Sequence, residues 1–227
     1  MHDVVPAILP QSFAELEEGL ARLRGITRFV QIDVADGVLV PNRTWPYKGG
    51  ERFQAILSQE EGMPLSEEFE FELDLMVSRA KVAAEDWVSA GASRIIVHEK
   101  AGDAEEALQV LHRVRGDLVG LQVGIGVSRR TPLARVTELA PLFDFIQVMG
   151  MGIEREGFQG EKLDESVFAQ LTALRGAFKD HIISVDGGVT LENGRRLLDA
   201  GANRLVVGSA LLRADTIEET FMAFQNL

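Results

Sequence analysis

Eight short apolar runs rich in Val and Ile, each leading into a stretch of helical periodicity, constrain this chain more than any other feature. The runs are VVPAIL (4–9), RFVQIDV (28–34), FEFELDLMV (69–77), SRIIV (93–97), VGLQVGIG (119–126), FDFIQVM (143–149), HIISV (181–185) and RLVVG (204–208). Runs this short and this apolar suit strands covered on both faces, and their alternation with amphipathic segments suits a parallel sheet with crossover helices. Eight such units in 227 residues most simply close into a (β/α)8 TIM barrel; a doubly wound open sheet is the competitor. No linker divides the chain, so residues 1–227 are expected to form a single barrel domain. Helix starts are marked by Ser12 with Glu15 three residues on, by Ser78, and by Thr216 with Glu219. Shorter helical signals lie near 51–59 and after Thr190.

An internal echo fits eight units. AGASRIIVH (90–98) matches AGANRLVVG (200–208), each a helix end with Gly at the stop position followed by an apolar strand. The two lie about half a chain apart, as the fourth and eighth strands of two half-barrels would; chance likeness between nine-residue segments that share αβ-turn glycine chemistry is the rival reading.

Composition narrows the function. The chain has 23 Lys and Arg against 35 Asp and Glu, a formal charge of −12, and no basic cluster of the kind that holds nucleic acid. It lacks cysteine, which excludes disulfides, thiolate metal sites and a thiol nucleophile, and makes the cytoplasm the expected compartment. The N-terminal MHDVVPAILPQSF has no signal-peptide pattern, and no run approaches the roughly 18 apolar residues of a membrane span.

In either fold the reactive groups gather where strands end and βα loops begin. Strand two ends in QIDVADG, and its alternation turns Gln31 and Asp33 to one face; strand three likewise pairs Asp74 with Met76. Strand seven ends in SVDGG with Asp186. A carboxylate that ends an apolar strand is costly to desolvate, which favours chemistry or metal binding, although a hydrogen-bonding role competes at Asp74. Asp36-Gly37 reads as a turn, and His98, without a partner at ligand spacing, as a packed and hydrogen-bonded residue. Gly187-Gly188 and Gly208-Ser209, after strands seven and eight, are placed to cradle a phosphate with backbone N–H groups and no Lys or Arg. The Gly-rich segment 150–163 suits a flap over a small ligand.

At these positions the sequence resembles the ribulose-phosphate 3-epimerase family, over nearly its whole length. DVADGVLVPNRTW (33–45), DLMV (74–77), GVSRRTPL (126–133), GFQGEKL (157–163), SVDGGV (184–189) and GSAL (208–211) are similar, in order, to that family's motifs. The resemblance implies a TIM barrel that epimerises a phosphorylated ketose, ribulose 5-phosphate or a related sugar phosphate, through an enediolate. Asp33 and Asp186 would exchange the proton, and Met76 and Met149 would cap the intermediate. Gly157, Gly188, Gly208 and Ser209 would bind the phosphate. It also implies a divalent metal and a homo-oligomer. Where the family carries two metal-binding histidines this chain has Gln31 and Asp74, so the candidate metal set is Gln31, Asp33, Asp74 and Asp186. All its donors are oxygen, which favours Mg²⁺ or Mn²⁺ over Zn²⁺. The flap is about three residues longer than the family's. Two alternatives stand beside this reading: a phosphosugar-binding barrel without catalysis, and a related lyase or decarboxylase, for which the strand-three lysine is missing.

Overall fold

The computed structural model describes residues 2–117, 120–152 and 156–227. All eight expected strands form: β1 (Asp3–Ile8), β2 (Phe29–Ala35), β3 (Glu70–Met76), β4 (Arg94–His98), β5 (Gln122–Val127), β6 (Phe145–Met149), β7 (Ile182–Asp186) and β8 (Arg204–Val207). Each pairs in parallel with the next, and β8 returns to β1, with Asp3 opposite Arg204, so the sheet closes into a barrel. The open sheet is thereby excluded. The expected start of the fifth strand at residue 119 lies outside the described residues.

The helices are α1 (Phe13–Leu23), α2 (Phe53–Leu57), α3 (Ala80–Ser89), α4 (Ala104–Asp117), α5 (Leu133–Leu139), α6 (Ser166–Ala177), α7 (Leu191–Asp199), α8 (Ser209–Leu212) and α9 (Ile217–Gln225). Their apolar stripes cover the outward residues of the strands. Val30, Ile32 and Val34 of β2 join Leu16, Leu20 and Leu23 of α1 in one continuous core. The inward residues behave differently. Val5, Ala7 and Val206 form a separate apolar cluster, while Gln31, Glu72, Asp74, Gln147, Ser184 and Arg204 are polar and fully buried. A barrel with a polar interior concentrates desolvated charge where a site is to be built.

Two of the expected caps are corrected by the structure. Ser78 does not cap α3; its N–H and its hydroxyl both donate to Asp36 Oδ2 at 2.7 Å. The first N–H groups of α3, on Ala80 and Lys81, donate instead to the Asp103 carboxylate at 2.9 and 3.2 Å. Thr216 precedes α9 as its N-cap but makes no side-chain hydrogen bond there. At α1 the expected start holds: Glu15 N–H donates to Ser12 Oγ at 3.2 Å, although Glu15 Oε2 accepts from Gln11 N–H rather than from Ser12.

Candidate active site

Strand alternation and register together assemble the site. Asp33 of β2 stands opposite Asp74 of β3, and Met149 of β6 opposite Asp186 of β7, all at the C-terminal rim of the barrel. One carboxylate oxygen from each of Asp33, Asp74 and Asp186 falls within 4.8 Å of the others, and all three residues are buried. Gln31 sits one pleat below Asp33. Its Nε2 donates to Asp33 Oδ1 at 2.7 Å and to Asp186 Oδ2 at 2.8 Å, tying the two carboxylates to one amide. Gln147 Nε2 adds a longer bond, 3.3 Å, to Asp186 Oδ2.

Asp74 is held from the other side. His98 Nε2 lies 2.7 Å from Asp74 Oδ1, so the histidine that looked solitary in sequence has a buried partner on the neighbouring strand. Room for its imidazole comes from β5: a Cβ on Gly126 would lie 3.0 Å from three of the ring atoms. Burial works against a charged His98, but the Asp74 carboxylate outweighs it and raises the imidazole above its ordinary value.

The carboxylates respond to the same surroundings. Burial, then the charges of Asp186 and Asp74, push Asp33 well above the usual carboxylate range. Asp186 is pushed up to about 7, chiefly by burial and next by Asp74, with Gln31 and His98 pulling the other way. The Asp33 and Asp186 carboxyls therefore hold protons at pH values where surface carboxylates are ionised. Asp36, the turn residue, differs: although partial burial raises it, hydrogen bonds from Ser78, Leu39 and Val38 prevail and lower it.

Above the carboxylates lies a cavity of about 320 Å³. Asp33, Asp186, Met76 and Met149 form its inner end; Gly188, Gly208 and Ser209 form another part of its wall, and Gly157 lies in the loop beside them. Gly188 has φ +70°, and a Cβ there would fall 2.5 Å from Leu163 N, so the turn after β7 has no space for a side chain. Asn42 Nδ2 donates to Gly157 O at 2.7 Å and joins the 156–161 loop to the segment after β2. The expected flap spans 150–163, of which 153–155 lie outside the described residues.

Every candidate residue named from sequence thus lies in or directly beneath this cavity. Sequence reasoning missed three neighbours. Gln147 is two residues before Met149 on β6, and the alternation that selected Gln31 would also have found it. Met151 and Arg213 line the cavity from loops, where no periodicity marks them.

A cation fits the donor set. Gln31 Oε1 and Asp74 Oδ2 are buried and accept no hydrogen bond among the described residues, leaving lone pairs beside the three-carboxylate cluster. Hard divalent cations seek oxygen donors of this kind. No helix among the described residues is long and apolar enough to cross a membrane.

Comparison with known proteins agrees with this geometry. The model of the ribulose-phosphate 3 epimerase family matches residues 3–212. A protein of Treponema pallidum named ribulose-phosphate 3-epimerase is 33% identical over 214 residues, covering 91% of this chain and 89% of its own. The chloroplastic ribulose-5-phosphate-3-epimerase of Arabidopsis thaliana is 28% identical, covering 95% and 73%. Among solved structures, 3-hexulose-6-phosphate synthase from Salmonella typhimurium superposes with a TM-score of 0.70 at 18% identity, covering 100% of this chain and 97% of its own. At that identity the likeness concerns the fold alone.

Proposed function

The chain belongs to the ribulose-phosphate 3-epimerase family, and from that premise we propose that it inverts C3 of ribulose 5-phosphate, or of a closely related ketose phosphate, by proton transfer between Asp33 and Asp186. One observation carries the reading: two buried carboxyls with raised affinity for protons share the Gln31 amide at the inner end of the cavity. Inversion needs a base on one face of the carbon and an acid on the other, exchanging roles between directions. The ionised carboxylate takes the C3 proton and leaves an enediolate; the protonated partner then delivers its proton to the opposite face. Gln31, donating to both, holds the two oxygens in fixed relation while the proton count on each changes. Met76 and Met149 cover the planar intermediate with apolar, polarisable surface and exclude water.

The phosphate would rest against Gly188, Gly208 and Ser209, with the Gly157 loop beside it. Asp33, Asp74, Asp186 and the Gln31 carbonyl oxygen would hold a divalent cation, Mg²⁺ or Mn²⁺ in preference to Zn²⁺. Such an ion, when bound, would act as a Lewis acid and stabilise developing negative charge on the substrate by roughly several kcal/mol. His98, whose Nε2 lies 2.7 Å from Asp74 Oδ1, would orient the Asp74 carboxylate toward the ion.

The decisive experiment is solvent exchange. Ribulose 5-phosphate incubated in D2O with the protein and Mn²⁺ or Mg²⁺ is expected to gain deuterium at C3. Asp33→Asn and Asp186→Asn should each slow this about 10²- to 10⁴-fold, the usual worth of a general acid or base. Tight binding of the sugar phosphate with no exchange above the variants would instead support the non-catalytic reading, which the replacement of two expected histidines by Gln31 and Asp74 favours.

A further inference from the structure

The glycines and Ser209 around the cavity supply backbone N–H groups and a hydroxyl, but no formal positive charge. Arg213, immediately after α8, lines the same cavity. A Cβ built on Gly160 would lie 3.4 Å from Arg213 Nη1 and 3.9 Å from Ser209 Oγ, so guanidinium and hydroxyl flank one point on the seam between the 156–161 loop and the turn after β8. Arginines of the adjacent α7 are already neutralised: Arg195 pairs with Asp199 at 3.0 Å and Arg196 with Glu165 at 2.8 Å. Arg213 forms no such ion pair among the described residues. In a chain of net charge −12, an unpaired guanidinium facing a cavity whose inner end is carboxylate gives that cavity an electrostatic polarity.

We propose that Arg213 grips the terminal phosphate of the substrate together with Ser209, and so determines that this barrel selects phosphorylated over unphosphorylated ketoses. The inference rests on the phosphosugar reading and adds to it a residue that the backbone cradle does not require. A guanidinium presents a planar fork that matches two phosphate oxygens, which an ammonium cannot do. The group is exposed, so its contribution is moderated by solvent and should weaken with salt.

Two readouts test this. Calorimetric titration with inorganic phosphate should show about 10-fold weaker binding to Arg213→Gln than to the unsubstituted protein. The KM for ribulose 5-phosphate should rise by a similar factor while kcat moves little, with Arg213→Lys intermediate. Raising NaCl from about 50 to about 300 mM should weaken phosphate binding to the unsubstituted protein more steeply than to Arg213→Gln. Arg24→Gln, which removes the same charge where it pairs with Glu68 at the opposite end of the barrel, controls for net charge. Equal phosphate affinity in Arg213→Gln and the unsubstituted protein overturns the proposal, and so does an equal loss in Arg24→Gln. Weaker phosphate binding in the variant, without epimerisation by either protein, upholds Arg213 and removes the substrate reading. If the unsubstituted protein binds no phosphate, both fall.

Discussion

Asp33, Asp186 and His98 share one thermodynamic property: each binds a proton more tightly in the folded chain than in the unfolded one. For Asp186, whose ordinary value is 3.8 and whose folded value is about 7, the folded state keeps a proton between those limits that the unfolded state has lost. Stability therefore falls as pH rises through that window, by up to roughly 1.4 kcal/mol per pH unit for one group. Asp33 acts in the same direction. His98, raised above 6.5, contributes fully below that pH and loses its contribution as pH climbs through its folded value. Asp36, lowered by its hydrogen bonds, contributes above 3.8 and loses that only in more acidic solution, outside the window. The metal-free protein should accordingly melt at a lower temperature at pH 7 than at pH 5, and Asp186→Asn or saturating Mn²⁺ should flatten the trend. A chelator-treated protein whose melting temperature rises over that range would contradict the electrostatics assigned to the site. The carboxylates were legible in sequence because alternation along a strand tells which side chains turn inward. The His98–Asp74 pair was not, since it depends on β3 and β4 lying side by side and on Gly126 leaving space.

The strands and the helix ends were unequally legible for a related physical reason. A strand covered on both faces announces itself by its own composition, and all eight strands lie within a few residues of the apolar runs. A cap depends on which acceptor wins a competition. Ser78 stood in a plausible capping position, yet its hydroxyl found Asp36, 42 residues earlier, and Asp103 from the start of α4 captured the free N–H groups of α3. This makes Asp103 a fastener between two consecutive βα units. Replacing it with Ala should cost about 1 kcal/mol, a fall of about 2–4 °C in melting temperature. Ser78→Ala should leave the α3 cap intact and act by loosening Asp36. Thermal melts of both variants, read beside amide exchange at Ala80 and Lys81, separate the two effects: only Asp103→Ala should expose those amides. Faster exchange in Ser78→Ala alone would return the cap to Ser78.

Across the whole barrel, the two matching segments of the sequence prove structurally equivalent. Gly91 and Gly201 have φ of +90° and +122°, Ala92 and Ala202 N–H donate to Trp87 O and Leu197 O, and β4 and β8 follow. Their first residues, Arg94 and Arg204, reach one acceptor, with Glu72 Oε2 at 3.5 and 3.3 Å. This cluster fills the barrel beneath the three-carboxylate layer, where Arg204 also lies over the Phe145 ring at 5.1 Å. Burial raises Glu72 despite both arginines and lowers Arg204 despite Glu72, so desolvation outweighs pairing on each side. Glu72 Oε1 and Arg204 Nε and Nη2 have no partner among the described residues. A cluster of this kind adds little net stability, yet removing half of it strands a buried charge. Glu72→Leu should destabilise the protein by about 3–5 kcal/mol, and Glu72→Leu with Arg204→Met should recover much of that loss. Urea unfolding of the two variants measures the difference. A double variant no more stable than Glu72→Leu alone would mean that the ion cluster, rather than the packing around it, holds this end of the barrel together, and that the polar interior needed to seat the carboxylates extends structurally to its base.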